Sequence, residues 1–149
     1  MVLQANVAGL GARPALRALT IAPIDVPTVF ITGDSTVCDQ NHEPYVGWGQ
    51  ALPLFFGPKV AVANHAESGR ALRSFKGERR FDKVLSQLRA GDFVLIQFGH
   101  NDQKEKGEGV GAFTTYANSL REYVAAIRAK GAKPVLITAV ARRRFDEQG

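Results

Sequence analysis

The chain has 149 residues and a formal net charge of +5, with 45% hydrophobic and 22% charged residues. These values are ordinary for one globular domain, and no run of about 20 apolar residues predicts a transmembrane helix. The basic residues are scattered apart from Arg142-Arg143-Arg144 and lack interleaved aromatic residues, so we expect neither a nucleic-acid nor a membrane partner. The single cysteine, Cys38, excludes an internal disulfide, and we interpret it as a small loop residue.

The first 24 residues contain no clear secretory signal, because Arg13 and Arg17 interrupt their apolar stretch and no basic start precedes it. An acid-free, arginine-bearing composition also occurs in transit peptides. We favour a terminal strand within ALRALTIAPI, followed by a linker marked by Pro23 and Pro27. Residues 1–26 are therefore predicted to be a linker or the remnant of a preceding domain, and the next domain is expected to begin at residue 27.

Four short apolar runs have the length and the β-branched content of buried strands. They are TVFITG, KVAVAN, DFVLIQFG and KPVLITAV, at residues 28–33, 59–64, 92–99 and 133–140. Their apolar residues are nearly continuous rather than alternating, which is typical of parallel strands that are covered on both faces.

Apolar residues recur with the 3.6-residue period of a helix in the three segments between these strands. The segments are Tyr45, Trp48 and Leu52; Phe81 to Leu88; and Phe113 to Ile127. Pro53 is expected to end or kink the first helix, and Gly131 follows the last helix as a stop signal. Parallel strands that alternate with helices predict a three-layer α/β/α sandwich.

Polar residues follow three of the predicted strands at their carboxyl ends, the edge at which α/β sheets bind ligands. Gly33-Asp34-Ser35-Thr36 ends the first strand, Gly69 lies in the loop after the second, and His100-Asn101-Asp102 ends the third. The Ser35 hydroxyl is a candidate nucleophile. The N–H groups of Ser35 and Gly69 and the Asn101 amide are candidate donors to an oxyanion. Taken singly, each motif is also typical of a turn or a helix cap.

Three sequence blocks together resemble the SGNH, or GDSL-like, hydrolase superfamily. They are GDST at 33–36, the glycine within NHAESGRALRSF at 64–75, and GHND at 99–102. The segments YVGWGQALPLFF at 45–56 and VARRRFD at 140–146 are similar to its rhamnogalacturonan acetylesterase branch. Residues 27–149 therefore resemble the N-terminal part of such a hydrolase domain.

The resemblance implies a flavodoxin-like sheet of five parallel strands with Ser35 as the nucleophile. It places the Ser35 N–H, the Gly69 N–H and the Asn101 side chain in the oxyanion hole, with Asp34, His100 and Asp102 in supporting roles. It also implies ester hydrolysis without a metal or an organic cofactor. The implied substrate is an acetylated polysaccharide or oligosaccharide of the pectin type, and the implied location is extracellular or periplasmic.

In that family the general base comes from an Asp-x-x-His motif beyond the fifth strand. After the fourth predicted strand this sequence offers only ARRRFDEQG, and its histidines are His42, His65 and His100. His65 and His100 are considered as substitute bases, but structural or substrate-contacting roles are favoured for both, and His42 is expected in solvent. We therefore expect an incomplete domain that lacks the fifth strand and the last helix. It should have weak or no esterase activity alone and should self-associate through an exposed sheet edge.

Several hypotheses remain open. Arg142, Arg143 and Arg144 are hypothesised to bind uronate carboxylates, because arginine suits bidentate carboxylate recognition, with a plain surface role as the alternative. A second hypothesis for the whole chain is an inactive relative that binds carbohydrate. A third hypothesis is a flavodoxin-like module that holds phosphate or flavin at TGDST, although the sequence has neither a P-loop nor a dinucleotide fingerprint.

Overall fold

The computed structural model describes residues 2–8 and 15–141. Strands β1 (Val2–Ala8) and β2 (Ala15–Ala22) pair antiparallel in a two-stranded sheet of their own. The strand expected within ALRALTIAPI is thus confirmed, and the origin of residues 1–26 as a linker or domain remnant stays a prediction. The three arginines at 142–144 lie outside the described residues.

The main sheet confirms the parallel α/β fold. Its strands are β3 (Thr28–Gly33), β4 (Ala61–Asn64), β5 (Phe93–Gln97) and β6 (Lys133–Leu136). All neighbours are parallel, in the order β4-β3-β5-β6, which corresponds to the first four positions of a flavodoxin-like sheet. The carboxyl ends of these strands therefore meet at one edge of the sheet.

Three strands are shorter than the apolar runs that predicted them. β4 begins two residues late because Val60 N–H donates to the Gly57 carbonyl at 3.2 Å, in a turn that includes Pro58. β5 ends at Gln97, two residues before Gly99. Gly99 has a φ of 147°, which is not a strand conformation. The apolar character of a run thus extends into the turns at its ends.

Within the described residues, four α-helices accompany the sheet. They are α1 (Trp48–Ala51), α2 (Leu72–Gly77), α3 (Arg80–Gln87) and α4 (Ala117–Ala129). α1 continues as a 3₁₀ turn at Leu52–Phe55, which contains Pro53, and Gly131 follows α4 with a φ of 74°. No helix in the described part of the chain is long and apolar enough to cross a membrane.

Two aromatic residues at the starts of predicted helical stripes are exposed and lie outside the α-helices. Tyr45 precedes α1 and is exposed, because the helix begins only at Trp48. Phe113 is 95% exposed because it belongs to a π-helical turn, Ala112–Tyr116, which changes the helical register before α4. The short helix α2 was not predicted, since it supplies only two buried residues, Leu72 and Phe75.

The sheet separates two apolar clusters, which confirms the three layers. On one face Phe30, Val94 and Ile96 pack with residues of α2, α3 and α4. On the other face Val29 and Ile31 pack with Val37 and with partly buried residues of α1 and the following 3₁₀ turn. Neighbouring strand residues contribute to opposite clusters, as the alternation of side chains along a strand requires.

Candidate active site

Hydrogen bonds join the three loops that carry the predicted site residues. The Glu67 N–H donates to the Gly33 carbonyl at 3.0 Å, so the loop after β4 runs along the end of β3. Cys38 Sγ lies 3.3 Å from the Ser68 hydroxyl, which links the Ser35 turn to the Gly69 loop. Asn101 and Asp102 join the loop after β5 to the loop after β4. The structure therefore brings the loops of Ser35, Gly69 and Asn101 to the same edge of the sheet.

Ser35 lies in a tight turn that follows β3. The Asp34 carbonyl accepts hydrogen bonds from the N–H groups of Val37 and Cys38, both at 3.0 Å, which closes the turn around Ser35. The Asp34 carboxylate is buried, and its Oδ1 accepts from the N–H and the hydroxyl of Thr36, both at 2.9 Å. The Ser35 side chain is exposed, so the turn presents its hydroxyl to solvent.

A chain of side-chain hydrogen bonds holds this turn against the sheet. Trp48 Nε1 donates to Gln97 Oε1, and Gln97 Nε2 donates to Thr36 Oγ1, each at 2.8 Å; the Thr36 hydroxyl then donates to Asp34. Because an indole N–H can only donate, it fixes which end of the Gln97 amide faces Thr36. A Cβ at Gly33 would lie 2.7 Å from the Gln97 carbonyl oxygen, so glycine allows this close approach.

Neither Gln97 nor Trp48 is among the site residues predicted from the sequence. Gln97 is 2% exposed, and a glutamine inside the apolar run FVLIQFG is a signal for a buried polar contact. The partners of that glutamine depend on tertiary structure, because Trp48 and Thr36 lie 49 and 61 residues away in sequence.

Two backbone N–H groups in these loops are available as donors. No acceptor within residues 2–8 and 15–141 is hydrogen-bonded to the N–H of Ser35 or of Gly69. Gly69 has a φ of 77°, in the left-handed region that favours glycine, and a Cβ there would contact nothing within 4 Å. The backbone conformation, rather than lack of space, therefore explains glycine at this position.

The Asn101 side chain is held in one orientation. Its Nδ2 donates to the Arg70 carbonyl at 3.1 Å, and its Oδ1 accepts from Lys104 Nζ at 2.9 Å. An amide nitrogen carries two hydrogens, so one hydrogen of Nδ2 remains without an acceptor among the described residues. Because Arg70 follows Gly69 directly, this bond also fixes the Asn101 loop beside the Gly69 loop.

Asp102 also joins the Asn101 loop to the segment that follows Gly69, but one of its buried carboxylate oxygens has no hydrogen-bond partner among the described residues. Its Oδ1 accepts from the Leu72 N–H at 2.9 Å, while its buried Oδ2 has no hydrogen-bond partner among the described residues. Burial raises the pKa of the Asp102 carboxyl; the Leu72 N–H opposes this shift, and nearby Glu105 adds to it. Asp102 thus connects the start of α2 to the loop of Asn101.

The described contacts of His65 and His100 do not include Ser35. The His65 ring packs on Phe30 with a centroid separation of 5.8 Å. Burial lowers the pKa of His65, as does the charge of Lys83, while a hydrogen bond with Gln87 acts in the opposite direction. Since Lys83 and Gln87 belong to α3, this ring faces α3. His100 Nε2 lies 2.6 Å from the Val140 carbonyl oxygen, so this ring is bonded to the segment after β6.

A groove of about 720 Å³ includes Ser35 in its wall. Gln40, His42, Tyr45 and Trp48 line it as well. His42 is exposed, as expected, but the groove places it on the same surface as Ser35. Sequence reasoning assigned no role in the site to His42, Gln40 or Tyr45.

His42 also ends an Asp-x-x-His pattern that lies far upstream of the position expected for the family base. The first residue of the pattern, Asp39, accepts a hydrogen bond from Asn64 Nδ2 at 2.9 Å. The His42 ring is instead bonded through Nδ1 to Asn41 Oδ1 at 2.5 Å. The described contacts therefore pair His42 with an asparagine and not with an aspartate.

Within the described ranges, no group of three or more His, Cys, Asp or Glu side chains could hold a metal ion. A second cavity of about 530 Å³ lies beside Asp102 and Tyr116. The proposed uronate contact of the arginines at 142–144 falls outside the residues that the structure describes and stays a prediction.

Comparisons with known proteins agree with the fold and the motifs. Residues 31–148 match the GDSL-like lipase/acylhydrolase family. The rhamnogalacturonan acetylesterase RhgT of Bacillus subtilis is 44% identical over 123 residues, which span 81% of this chain and 52% of RhgT. A rhamnogalacturonan acetylesterase of Emericella nidulans is 37% identical over 89 residues, which span 59% of this chain and 34% of that protein.

A solved structure is similar over most of the chain. The crystal structure of the Bacillus subtilis protein YxiM gives a TM-score of 0.72 at 30% identity, covering 85% of this chain and 36% of YxiM. The chain thus spans about half the length of RhgT and a smaller share of the other two relatives.

Proposed function

Because the chain belongs to the GDSL-like lipase/acylhydrolase family, we propose that it carries the nucleophile and the oxyanion-binding groups of a serine acetylesterase. The Ser35 oxygen attacks the carbonyl carbon of an acetyl ester, and its proton passes to a base. The negative oxygen that develops accepts hydrogen bonds from the N–H groups of Ser35 and Gly69 and from Asn101 Nδ2. The sugar alcohol then leaves, and water releases acetate from Ser35.

One observation carries this proposal. The exposed Ser35 hydroxyl lies on an edge of the sheet where the N–H groups of Ser35 and Gly69 have no acceptor among the described residues. The bonds of Asn101 to Arg70 and Lys104 support a fixed orientation for the third donor. Loss of one such donor typically reduces turnover by about 10²–10³-fold, so three donors account for a large share of the catalysis.

The proposed substrate is an acetylated polysaccharide of the pectin type. Two relatives are named rhamnogalacturonan acetylesterases, which supports this class of substrate. An ester on a sugar ring needs an open site beside the serine, and the groove of about 720 Å³ is far larger than an acetyl group requires.

No histidine is hydrogen-bonded to Ser35 among the described contacts, so the general base of this mechanism is not assigned to a residue. Of the three histidines, His65 faces α3, His100 is bonded to the Val140 carbonyl oxygen, and His42 is bonded to Asn41. We therefore propose that this chain has weak or no esterase activity when it is tested alone. In serine proteases, a site without its triad retains about 10³–10⁴-fold acceleration over water, from the oxyanion hole and binding.

Covalent labelling tests the role of Ser35 without requiring turnover. We expect a fluorophosphonate, applied at high concentration, to modify Ser35, with the modified residue identified by peptide mass spectrometry. The Ser35→Ala variant should remain unlabelled, whereas Ser86→Ala, which removes an exposed hydroxyl on α3, should be labelled like the original chain. Equal labelling of Ser35→Ala, or modification of a different serine, would contradict the proposal.

A further inference from the structure

We propose that Tyr45, His42 and Gln40 form a subsite for a neutral sugar ring in the groove beside Ser35. This inference rests on the proposed function, because it assumes that the groove receives a carbohydrate ester. It adds a binding surface that neither the sequence blocks nor the family relationship assigns.

Two aromatic rings form a corner in this groove. The Tyr45 and His42 rings are 5.5 Å apart between centroids and nearly perpendicular, at 79°. Tyr45 is 62% exposed although it is a large, amphipathic side chain. One face of a pyranose ring consists largely of C–H groups and can pack on an aromatic face, while its hydroxyls need polar partners at the edge. The corner supplies both kinds of surface.

Polar atoms at the corner are available for sugar hydroxyls. The bond from His42 Nδ1 to Asn41 orients the imidazole and leaves Nε2 for another partner. Gln40 Nε2 donates to the Ser35 carbonyl at 2.6 Å, while Gln40 Oε1 has no donor among the described residues. Gln40 therefore fixes the subsite to the backbone of the nucleophile and offers an acceptor that points away from that bond.

The charge of the groove indicates which sugars it suits. Among the described residues that line it, none is Asp, Glu, Lys or Arg, and Val46 and Val140 add apolar surface. Among the described lining residues a uronate carboxylate meets no cation, so this part of the lining favours a neutral ring. In an alternating polymer of neutral and acidic sugars, the neutral residue would occupy this corner and the acidic residue would lie outside it.

A fluorescence titration tests the subsite independently of esterase activity. Trp48 is the only tryptophan of the chain and lines the groove, so its emission reports on occupancy. The probe is a rhamnogalacturonan oligosaccharide, added to the Ser35→Ala chain so that no reaction occurs. We expect a saturable change in emission. The Kd should change little between about 50 mM and 500 mM salt, because charge pairing contributes little.

Three variants in that background locate the contact. Tyr45→Ala should raise the Kd about tenfold or more, whereas Tyr45→Phe should remain within about threefold because the ring is retained. Phe113→Ala removes a still more exposed aromatic ring outside the groove and should leave the Kd unchanged. Circular dichroism verifies that each variant is folded.

Several results would overturn the subsite. They are an unchanged Kd in Tyr45→Ala, an equal loss in Phe113→Ala, a Kd that weakens steeply with salt, or no emission change up to about 10 mM oligosaccharide. None of them bears on covalent labelling of Ser35, which tests the proposed chemistry separately.

Discussion

Replacing Gln97 by methionine removes the middle of the hydrogen-bonded chain that supports the Ser35 turn. Methionine fills a similar length with a flexible side chain, so the change creates little cavity. It deletes two bonds of 2.8 Å, one from Trp48 and one to Thr36, in a site where Gln97 is 2% exposed. Each bond contributes about 1 kcal/mol net, so the free energy of unfolding should fall by about 2 kcal/mol.

A double-mutant cycle measures whether the chain acts as one unit. Thr36→Val removes the hydroxyl and also deletes two bonds, the one from Gln97 and the one to the Asp34 carboxylate. Because the two variants share one bond, the double variant should lose about 3 kcal/mol rather than about 4 kcal/mol. The expected coupling energy between residues 36 and 97 is therefore about 1 kcal/mol.

The assay is urea unfolding followed by circular dichroism for the original chain, both single variants and the double variant. As a control, Gln97→Met is combined with Lys76→Met, which removes an exposed ion pair with Glu122 on different helices. That combination should be additive within about 0.5 kcal/mol. A coupling between residues 36 and 97 of no more than this control value would refute the reasoning.

Three further predictions use the same unfolding measurement or a simple rate assay. Gly69→Ala should lower the free energy of unfolding by about 1 kcal/mol, because its φ of 77° disfavours alanine although no atom blocks a Cβ there. Gly77→Ala, at the end of α2, should be nearly neutral. Equal losses in the two variants would show that backbone conformation is not the cause. Because burial lowers the folded-state pKa of His65 below 6.5, the unfolded chain takes up the proton first, so the free energy of unfolding should fall as pH decreases below 6.5. His65→Gln should weaken that pH dependence and His42→Gln, at an exposed position, should retain it; the reverse pattern would assign the titration elsewhere. Hydrolysis of p-nitrophenyl acetate by the purified chain should be slow, and fast turnover that disappears in Ser35→Ala would show that an effective base is present.

The parts of the fold that depend on local pattern could be predicted from the sequence. β3 has the predicted bounds because its apolar run is limited by Pro27 and by a glycine that approaches the neighbouring strand. The parallel direction of the strands could be predicted because their apolar runs are nearly continuous and are separated by helices. By contrast, Phe113 was assigned to a helical stripe because periodicity alone does not reveal the π-helical turn before α4.

The site could be predicted only as far as its motifs. Ser35, Gly69 and Asn101 follow strand ends, so their approximate location follows from a parallel sheet. The chain from Trp48 through Gln97 to Thr36 could not be predicted, because its members meet only through tertiary packing. The same holds for the corner of His42 and Tyr45, because His42 lies in a polar loop and Tyr45 was assigned to a helix that begins only at Trp48.

The most direct test of the central claim is a crystal structure of the chain with Ser35 phosphonylated by a fluorophosphonate. The phosphoryl oxygen mimics the oxyanion of ester hydrolysis. We expect it to lie about 3 Å from the backbone nitrogens of Ser35 and Gly69 and from Asn101 Nδ2. A phosphoryl oxygen that faces solvent, with these three nitrogens bonded to other groups, would contradict the account.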